Sequence, residues 1–222
     1  APGLVLAEGA QVRPPCLKQQ DGSRTAFRSG DGSQNASARM RIIAGKWRGT
    51  RLAALGKGDE LARLRPTPDR VRESLFSMLT HRDAIVGKRV LDLFAGTGAL
   101  GLEALSRGAD YALFVESGRV GQRLITANIA KLNAGECATL LATDATGLRQ
   151  APGDPFDLVC LDPPYGKDLG QRALAAADAG GWLADEALIV WEESAEMSAP
   201  PGFKSEETRR FGDTFLTILS KE

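Results

Sequence analysis

The sequence places a carboxylate, two prolines and an aromatic ring directly after an apolar run. In the segment FDLVCLDPPYGKD, Asp162 is followed by Pro163, Pro164 and Tyr165. Proline cannot donate to a sheet ladder and restricts the residue before it, so this is an unusual way to end a strand. A carboxylate and a backbone carbonyl both accept hydrogen bonds. The segment is therefore a candidate for holding a hydrogen-bond donor above the end of a strand.

A second segment, VLDLFAGTGALGLEAL, carries the glycines of a ligand-binding loop. Gly96, Gly98 and Gly101 follow a predicted strand and open a predicted helix, so backbone N–H groups face whatever lies above the strand ends. Their spacing also satisfies the dinucleotide fingerprint, with Glu116 twenty residues after Gly96 as the acid for ribose hydroxyls. A nicotinamide cofactor is therefore one alternative.

Two further acids favour a different cofactor. Asp92 lies within the strand before the loop, where a carboxylate repels a pyrophosphate but suits a ligand that bears an ammonium and a sulfonium. Asp144 ends the third strand in LLATDA and is placed for an adenine amino group. Acids after three successive strands predict a site for S-adenosylmethionine. The predicted cofactor residues are Asp92, Phe94, Gly96, Thr97, Gly98, Glu116, Ser117, Asp144 and Ala145.

Short apolar strands alternate with amphipathic helices in the part of the chain that carries these motifs. We predict strands at 89–94, 112–116, 138–142, 158–161 and 187–191, and helices at 99–106, 119–132 and 170–179. This alternation predicts a mostly parallel sheet with helices on both faces. Parallel strands place their carboxyl ends at one edge, so Asp162 should join the cofactor acids there.

The segments at the two ends of this domain predict a hairpin and a helix. FKSEETRRFGDTFLTILSKE predicts an antiparallel hairpin around Gly212 and Asp213 that finishes the sheet. RPTPDRVRESLFSML predicts a helix, with Thr67 as its N-cap and Pro68 at its first helical position. We therefore expect the domain to span residues 67–222.

The N-terminal part differs in composition. Residues 1–39 are rich in Gly, Ser, Gln, Pro and Ala without periodicity and predict a disordered extension. Residues 40–66 predict a small β-hairpin. From position 39 to 72 the chain carries ten Lys or Arg and three Asp or Glu, a net charge of +7, whereas residues 73–222 carry fourteen against twenty-two, a net of −8. The basic segment suits phosphates, and the alternative is a solvated charged face.

These motifs together resemble a known family. VLDLFAGTG, Glu116, TDA and DPPY are similar to the ordered motifs of class I methyltransferases that modify exocyclic amino nitrogens. MRIIAGKWRG and RPTPDRVRESLFSML resemble the RsmD family, bacterial guanine-N2 methyltransferases of 16S (small-subunit) ribosomal RNA. The resemblance covers residues 40–222, and residues 1–39 have no counterpart in the family pattern. It implies a Rossmann-like α/β fold of the class I methyltransferase type, with a mostly parallel seven-stranded sheet.

The resemblance implies roles for the residues after the fourth strand. A guanine N2 amine is a poor nucleophile because its lone pair is delocalised into the ring, so it must be oriented by hydrogen-bond acceptors. Asp162 and the backbone carbonyl of Pro163 are the predicted acceptors, and Tyr165 is predicted to stack on the base. Methyl transfer makes the amine cationic and acidic, so we expect neither a strong general base nor a metal.

The basic segment is predicted to contact RNA phosphates, with one tryptophan available for stacking. The predicted RNA-binding residues are Arg41, Lys46, Trp47, Arg48, Arg51, Arg65 and Arg70. The expected partner is 16S ribosomal RNA or an assembling small ribosomal subunit, and we expect a cytoplasmic monomer with no membrane span. DNA adenine-N6 methylation, protein glutamine methylation and a catalytically inactive RNA-binding module remain alternatives.

Overall fold

The computed structural model describes residues 40–53, 55, 67–164 and 168–222. Within these residues, no helix has the length and apolar character needed to cross a membrane. The elements in chain order are α1 (Asp69–His81), β1 (Arg89–Leu93), α2 (Ala99–Ser106), β2 (Tyr111–Val115), α3 (Arg119–Lys131), β3 (Ala138–Leu141), a 3-10 turn (Ala145–Gly147), β4 (Phe156–Leu161), α4 (Leu169–Ala179), β5 (Leu183–Glu193), β6 (Phe203–Phe211) and β7 (Thr214–Lys221).

The strands form one seven-stranded sheet in the order β3-β2-β1-β4-β5-β7-β6. β1 to β5 pair in parallel, and β7 pairs antiparallel with both β5 and β6. This confirms the predicted mostly parallel sheet and its C-terminal hairpin. The strand order reverses between β1 and β4, and in open α/β sheets ligands bind above the carboxyl ends of the strands at such a reversal.

Alternation along the strands divides the core between the two faces of the sheet. On the first face, α1, α2 and α3 pack over residues such as Val90, Cys160 and Val190. On the second face, α4 packs over residues such as Leu91, Leu161 and Trp191. The prediction of helices on both faces is confirmed, and Asp92 and Glu192, which alternate with second-face residues, belong to the first face.

The start of α1 differs from the prediction. The N-cap is Pro68, with φ −56° and ψ 147°, and no side chain caps the helix. Thr67 instead donates its hydroxyl to Glu192 Oε2 at 3.1 Å, so its predicted role as N-cap is wrong. The reason is tertiary: β5 ends next to the start of α1, and the Thr67 hydroxyl is directed to the buried carboxylate of Glu192 by a charge-assisted hydrogen bond.

The N-terminal segment, residues 40–53, packs against the first face. Arg41 and Arg51 form an isolated antiparallel bridge, and the chain turns between them. Met40, Ile42 and Leu52 are buried in the same cluster as α1 to α3. The predicted hairpin is therefore present in reduced form, as one bridge with flanking hydrogen bonds. Residues 1–39, 54 and 56–66 lie outside the described residues, including the predicted N-terminal extension.

Candidate active site

The loop between β1 and α2 turns sharply under the carboxyl ends of the strands. Phe94, Gly96 and Gly98 all have positive φ, at 59°, 55° and 75°. The two glycines adopt this conformation without penalty, whereas Phe94 does so against its preference. Gly98 is also the N-cap of α2, so the loop directs the N-terminus of that helix toward the space above β1.

Glu116, directly after β2, fixes this loop from the side. Its carboxylate accepts from the backbone N–H of Gly96 at 2.8 Å and of Gly118 at 2.6 Å. The side chain is buried, and Gly121 in α3 leaves room for it: a Cβ at that position would lie 2.7 Å from Glu116 Cγ. Glu116 therefore positions the glycine loop while its remaining lone pairs can still accept from a ligand.

Asp92 lies beneath the loop, inside β1. It is 2% exposed and accepts from the Gly101 N–H at 2.9 Å. The pKa of Asp92 is raised to about 7, mainly by burial and to a smaller extent by the negative charge of Glu116, while the hydrogen bond from Gly101 opposes the shift. A buried acid with this pKa is a favourable partner for a cationic group.

Asp144 begins the 3-10 turn after β3. Its Oδ1 accepts from the backbone N–H and the hydroxyl of Thr146, both at 2.9 Å. These bonds fix the carboxyl at the same edge of the sheet. The next residue, Ala145, is buried, whereas Ser117 is exposed.

Asp162 follows β4 and lies close to the cofactor acids. Part of the residue stays open to solvent, but its carboxyl is surrounded by protein. This desolvation raises the pKa of Asp162 well above its usual range, and the negative charges of Glu192, Asp92 and Glu193 add to the shift. Pro163 is buried and Pro164 is exposed. Tyr165 lies outside the described residues.

Glu192 is a site residue that the sequence did not indicate. It lies at the end of β5 and is 8% exposed. Its charge is the largest contribution of any neighbouring charge to the raised pKa of Asp162. The signal that could have found it is the acid pair that closes the apolar run ALIVWEE, once β5 is known to pair with β4.

Met40 and Asn128 lie far from the glycine loop in sequence but form hydrogen bonds with Thr97 in that loop. The hydroxyl of Thr97 donates to Met40 Sδ at 3.1 Å, and the amide of Asn128 donates to the Thr97 carbonyl at 3.0 Å. Asn128 also accepts from the Ala53 N–H at 2.6 Å. The N-terminal segment is therefore bonded to the same loop that forms the candidate cofactor site.

The predicted RNA-binding residues lie on the surface of the N-terminal segment and of α1. Arg41, Lys46, Arg48, Arg51 and Arg70 are exposed. Arg65 lies outside the described residues.

Trp47 is half-buried, packs partly against the core and lies under Lys46 Nζ, 4.1 Å from its ring centroid. Stacking of Trp47 on a base stays a prediction.

The acidic side chains of the site determine which ligands it favours. Asp92, Glu116, Asp144, Asp162 and Glu192 converge at the carboxyl edge of the sheet, which suits a ligand with positive charge and hydrogen-bond donors and disfavours a pyrophosphate. Among the described residues, no group of His, Cys, Asp and Glu has the geometry to hold a metal ion.

Known proteins are similar to this chain in fold and in sequence. The family model described as "Conserved hypothetical protein 95" matches residues 40–220. "Ribosomal RNA small subunit methyltransferase D" of Escherichia coli is 40% identical over 168 residues, which are 76% of this chain and 81% of that protein. The protein of the same name from Haemophilus influenzae is 37% identical over 71% of this chain and 80% of its own length. A solved structure, "Putative methyltransferase yhhF" from Escherichia coli, has a TM-score of 0.71 at 37% identity and covers 83% of this chain and 99% of that chain.

The sheet order, the glycine loop and the acids at the strand ends define a class I methyltransferase fold. The chain belongs to the RsmD family, that of ribosomal RNA small subunit methyltransferase D.

Proposed function

We propose that this protein transfers a methyl group from S-adenosylmethionine to the exocyclic N2 of a guanine in 16S ribosomal RNA of the small ribosomal subunit. The observation that carries the proposal is the position of Asp162, two residues after Cys160, the β4 partner of Asp92 where the strand order reverses. An acceptor for an amine is thereby adjacent to acids that suit a cationic methyl donor. The relatives named as ribosomal RNA methyltransferases supply the substrate class.

The residues present fit S-adenosylmethionine. Asp92 and Glu116 are buried acids around a glycine loop, and a cationic ligand relieves their mutual repulsion. Gly101 lies so near Phe114 and Asp92 that a side chain there would displace them, so the loop and helix follow the strand closely. Asp92 would face the ammonium group, Glu116 the ribose hydroxyls and Asp144 the adenine amine. When bound, this cofactor supplies a methyl group activated by its sulfonium charge.

The chain's own residues orient the nucleophile. The Asp162 carboxylate and the Pro163 carbonyl accept from the two N–H groups of the guanine amine, which aligns its nitrogen for an in-line attack. As the nitrogen gains its fourth substituent it becomes acidic, so a carboxylate suffices to accept the departing proton. Tyr165 is proposed to stack on the extruded base, a contact that contributes about 1–3 kcal/mol.

The basic residues of the N-terminal segment are proposed to bind phosphates of the ribosomal RNA or of an assembling subunit. Arg48 and Arg51 are exposed on the segment that also contacts Thr97 through Met40. RNA bound there would lie on the part of the protein that supports the cofactor loop.

The test is incubation of the purified protein with methyl-labelled cofactor and three acceptors: small ribosomal subunits, double-stranded DNA and ribosomal proteins. We expect label in the RNA fraction, recovered as N2-methylguanosine after digestion. Label confined to DNA or protein would contradict the proposal in favour of adenine or glutamine methylation. Cofactor binding without any turnover on the three acceptors would favour an inactive RNA-binding module.

A further inference from the structure

Glu192 lies beside Asp162 and has no part in the mechanism above. The parallel ladder of β4 and β5 places Leu161 opposite Trp191. The following residues, Asp162 and Glu192, are therefore neighbours at the carboxyl edge of two adjacent strands.

The two carboxyls also share a face of the sheet. Leu161 and Trp191 both pack in the second-face core, so alternation turns the next residues toward the first face. Leu216, the partner of Glu192 in β7, is buried in the first-face core and confirms this orientation. Glu192 thus points to the side on which α1 begins.

Glu192 is held in place there. It is 8% exposed, and the Thr67 hydroxyl donates to its Oε2 at 3.1 Å. Two carboxyls that are largely withdrawn from water and lie side by side repel each other, which is consistent with the raised pKa of Asp162. A ligand that presents two adjacent hydrogen-bond donors would relieve that repulsion.

The guanine edge has this pattern of donors. Its N1–H lies directly beside its N2 amine, so two neighbouring acceptors can bind both. In adenine and in 2-aminopurine, N1 is instead an acceptor, and a carboxylate facing it would find a lone pair. A site built for a hydrogen-bond donor strongly rejects an analogue that lacks it.

We propose that Glu192 accepts a hydrogen bond from guanine N1–H and so selects guanine over bases whose N1 is an acceptor. The inference rests on the proposed function, since it concerns the base whose amine Asp162 orients. It assigns Glu192 a role in specificity, distinct from the alignment of the amine.

The test compares two substrates and three proteins. The RNA substrate carries either guanosine or 2-aminopurine riboside at the position that wild type methylates, and kcat/KM is measured with each. Both bases have a 2-amino group. Their intrinsic reactivities differ, but this difference is the same for every protein. It therefore cancels when the ratio of kcat/KM for guanosine to kcat/KM for 2-aminopurine riboside is compared between proteins. Glu192→Gln replaces an acceptor-only group with an amide that can also donate to N1 of 2-aminopurine. Glu193→Gln is the control. It also removes a charge that acts on Asp162, but alternation along β5 turns this side chain to the opposite face, where it accepts from Ser194.

We expect the guanine preference of Glu192→Gln to fall by about ten- to a hundredfold relative to wild type, the range of one base-edge contact. Glu193→Gln should keep the wild-type ratio. Binding of S-adenosylhomocysteine by each variant verifies that the fold is intact. A change of less than threefold in Glu192→Gln, or an equal change in Glu193→Gln, would overturn the inference and leave the proposed function standing. Absence of N2 methylation by wild type would refute the proposed function itself, and the inference with it.

Discussion

Asp162 must satisfy two opposing demands. The ionised carboxylate is the stronger acceptor for the N–H groups of an amine, yet burial and the charges of Glu192, Asp92 and Glu193 favour the neutral form. Ligands resolve the conflict, because positive charge and N–H donors both stabilise the carboxylate. We therefore expect Asp162 to ionise when the cationic cofactor and the acceptor base bind.

The first prediction concerns the chemical step. Asp162→Asn removes the charge and presents N–H groups to the amine, so kcat should fall by about a hundredfold or more, as for loss of one oriented polar group in other active sites. The dissociation constant for S-adenosylhomocysteine, measured by calorimetry, should change by less than about threefold, since Asp162 acts on the acceptor base. Asp213→Asn, in the exposed turn between β6 and β7, is the matched control. Equal kcat in Asp162→Asn and wild type would remove Asp162 from the mechanism.

The second prediction concerns Asp92 and pH. Its pKa is 3.8 in an ordinary setting and about 7 in the folded protein, so between these values the native state holds a proton that the unfolded state has released. The stability contributed by the protonated form is full at low pH and is lost as pH rises through about 7. Cofactor affinity should change in the opposite direction, because the ionised form binds the cation.

These trends are measured by thermal unfolding and by calorimetry across the range of about pH 5 to 8. In wild type we expect unliganded stability to decrease and affinity for S-adenosylmethionine to increase with pH. Asp92→Asn still accepts from Gly101 but cannot ionise, so both trends should weaken and affinity should be low throughout. Unchanged pH trends in Asp92→Asn would show that other groups dominate them, such as Asp162 with its raised pKa.

At the scale of elements, the N-terminal segment and α2 are joined by backbone bonds. Glu103 in α2 is fully buried and accepts from the N–H groups of Ile43 and Ala44 at 2.7 and 3.0 Å. The next residue, Gly45, lies against the carbonyl of Ser106 at the end of α2, with Lys46 N–H donating to that carbonyl at 2.8 Å. The close approach is possible because Gly45 lacks a Cβ.

The third prediction uses two glycines of the same turn. Gly45 and Gly49 both have positive φ, at 82° and 81°, but a Cβ would overlap the Ser106 backbone at Gly45 and meet nothing within 4 Å at Gly49. Both changes to alanine incur the left-handed penalty of about 1–2 kcal/mol. Gly45→Ala should lower the free energy of unfolding by about 2 kcal/mol more than Gly49→Ala, measured in urea. Equal losses would mean that the segment does not dock on α2 as described.

At the scale of the whole molecule, the basic N-terminal segment and Glu116 of the candidate site both contact the loop between β1 and α2. The exposed arginines of the N-terminal segment lie on a piece of chain that is bonded to the cofactor loop through Met40 and Asn128. The carboxyl edge of the sheet is acidic. Under the proposed function, RNA phosphates and the cationic cofactor would therefore bind to separate surfaces of opposite charge.

The fourth prediction tests the RNA surface. The double variant Arg48→Gln and Arg51→Gln removes two exposed charges without touching the acids of the site. Affinity for the RNA substrate should weaken, and the slope of log K against log salt concentration should become shallower by about 1–2, since fewer counterions are released. Cofactor affinity should stay constant. A salt slope identical to that of wild type would show that these arginines do not contact phosphates.

Much of this architecture could be predicted from sequence because it depends on local signals. Alternating strands and helices predicted the sheet, and parallel pairing placed Asp92, Glu116, Asp144 and Asp162 at one edge. The predicted tail strands around Gly212 are also present.

The parts that were missed depend on contacts between residues far apart in the chain. Thr67 has the sequence of a helix cap, but its use is decided by Glu192, 125 residues away. The proximity of Glu192 to Asp162 follows from the register of β4 with β5, which no local pattern encodes. Met40 and Asn128 support the loop across 57 and 31 residues.

The measurement that tests the central claim most directly is nucleoside analysis of small-subunit ribosomal RNA from cells with and without the gene. The account predicts that deletion removes one N2-methylguanosine per RNA molecule, and that wild type restores it whereas Asp162→Asn does not. An N2-methylguanosine content that is the same with and without the gene would contradict the account.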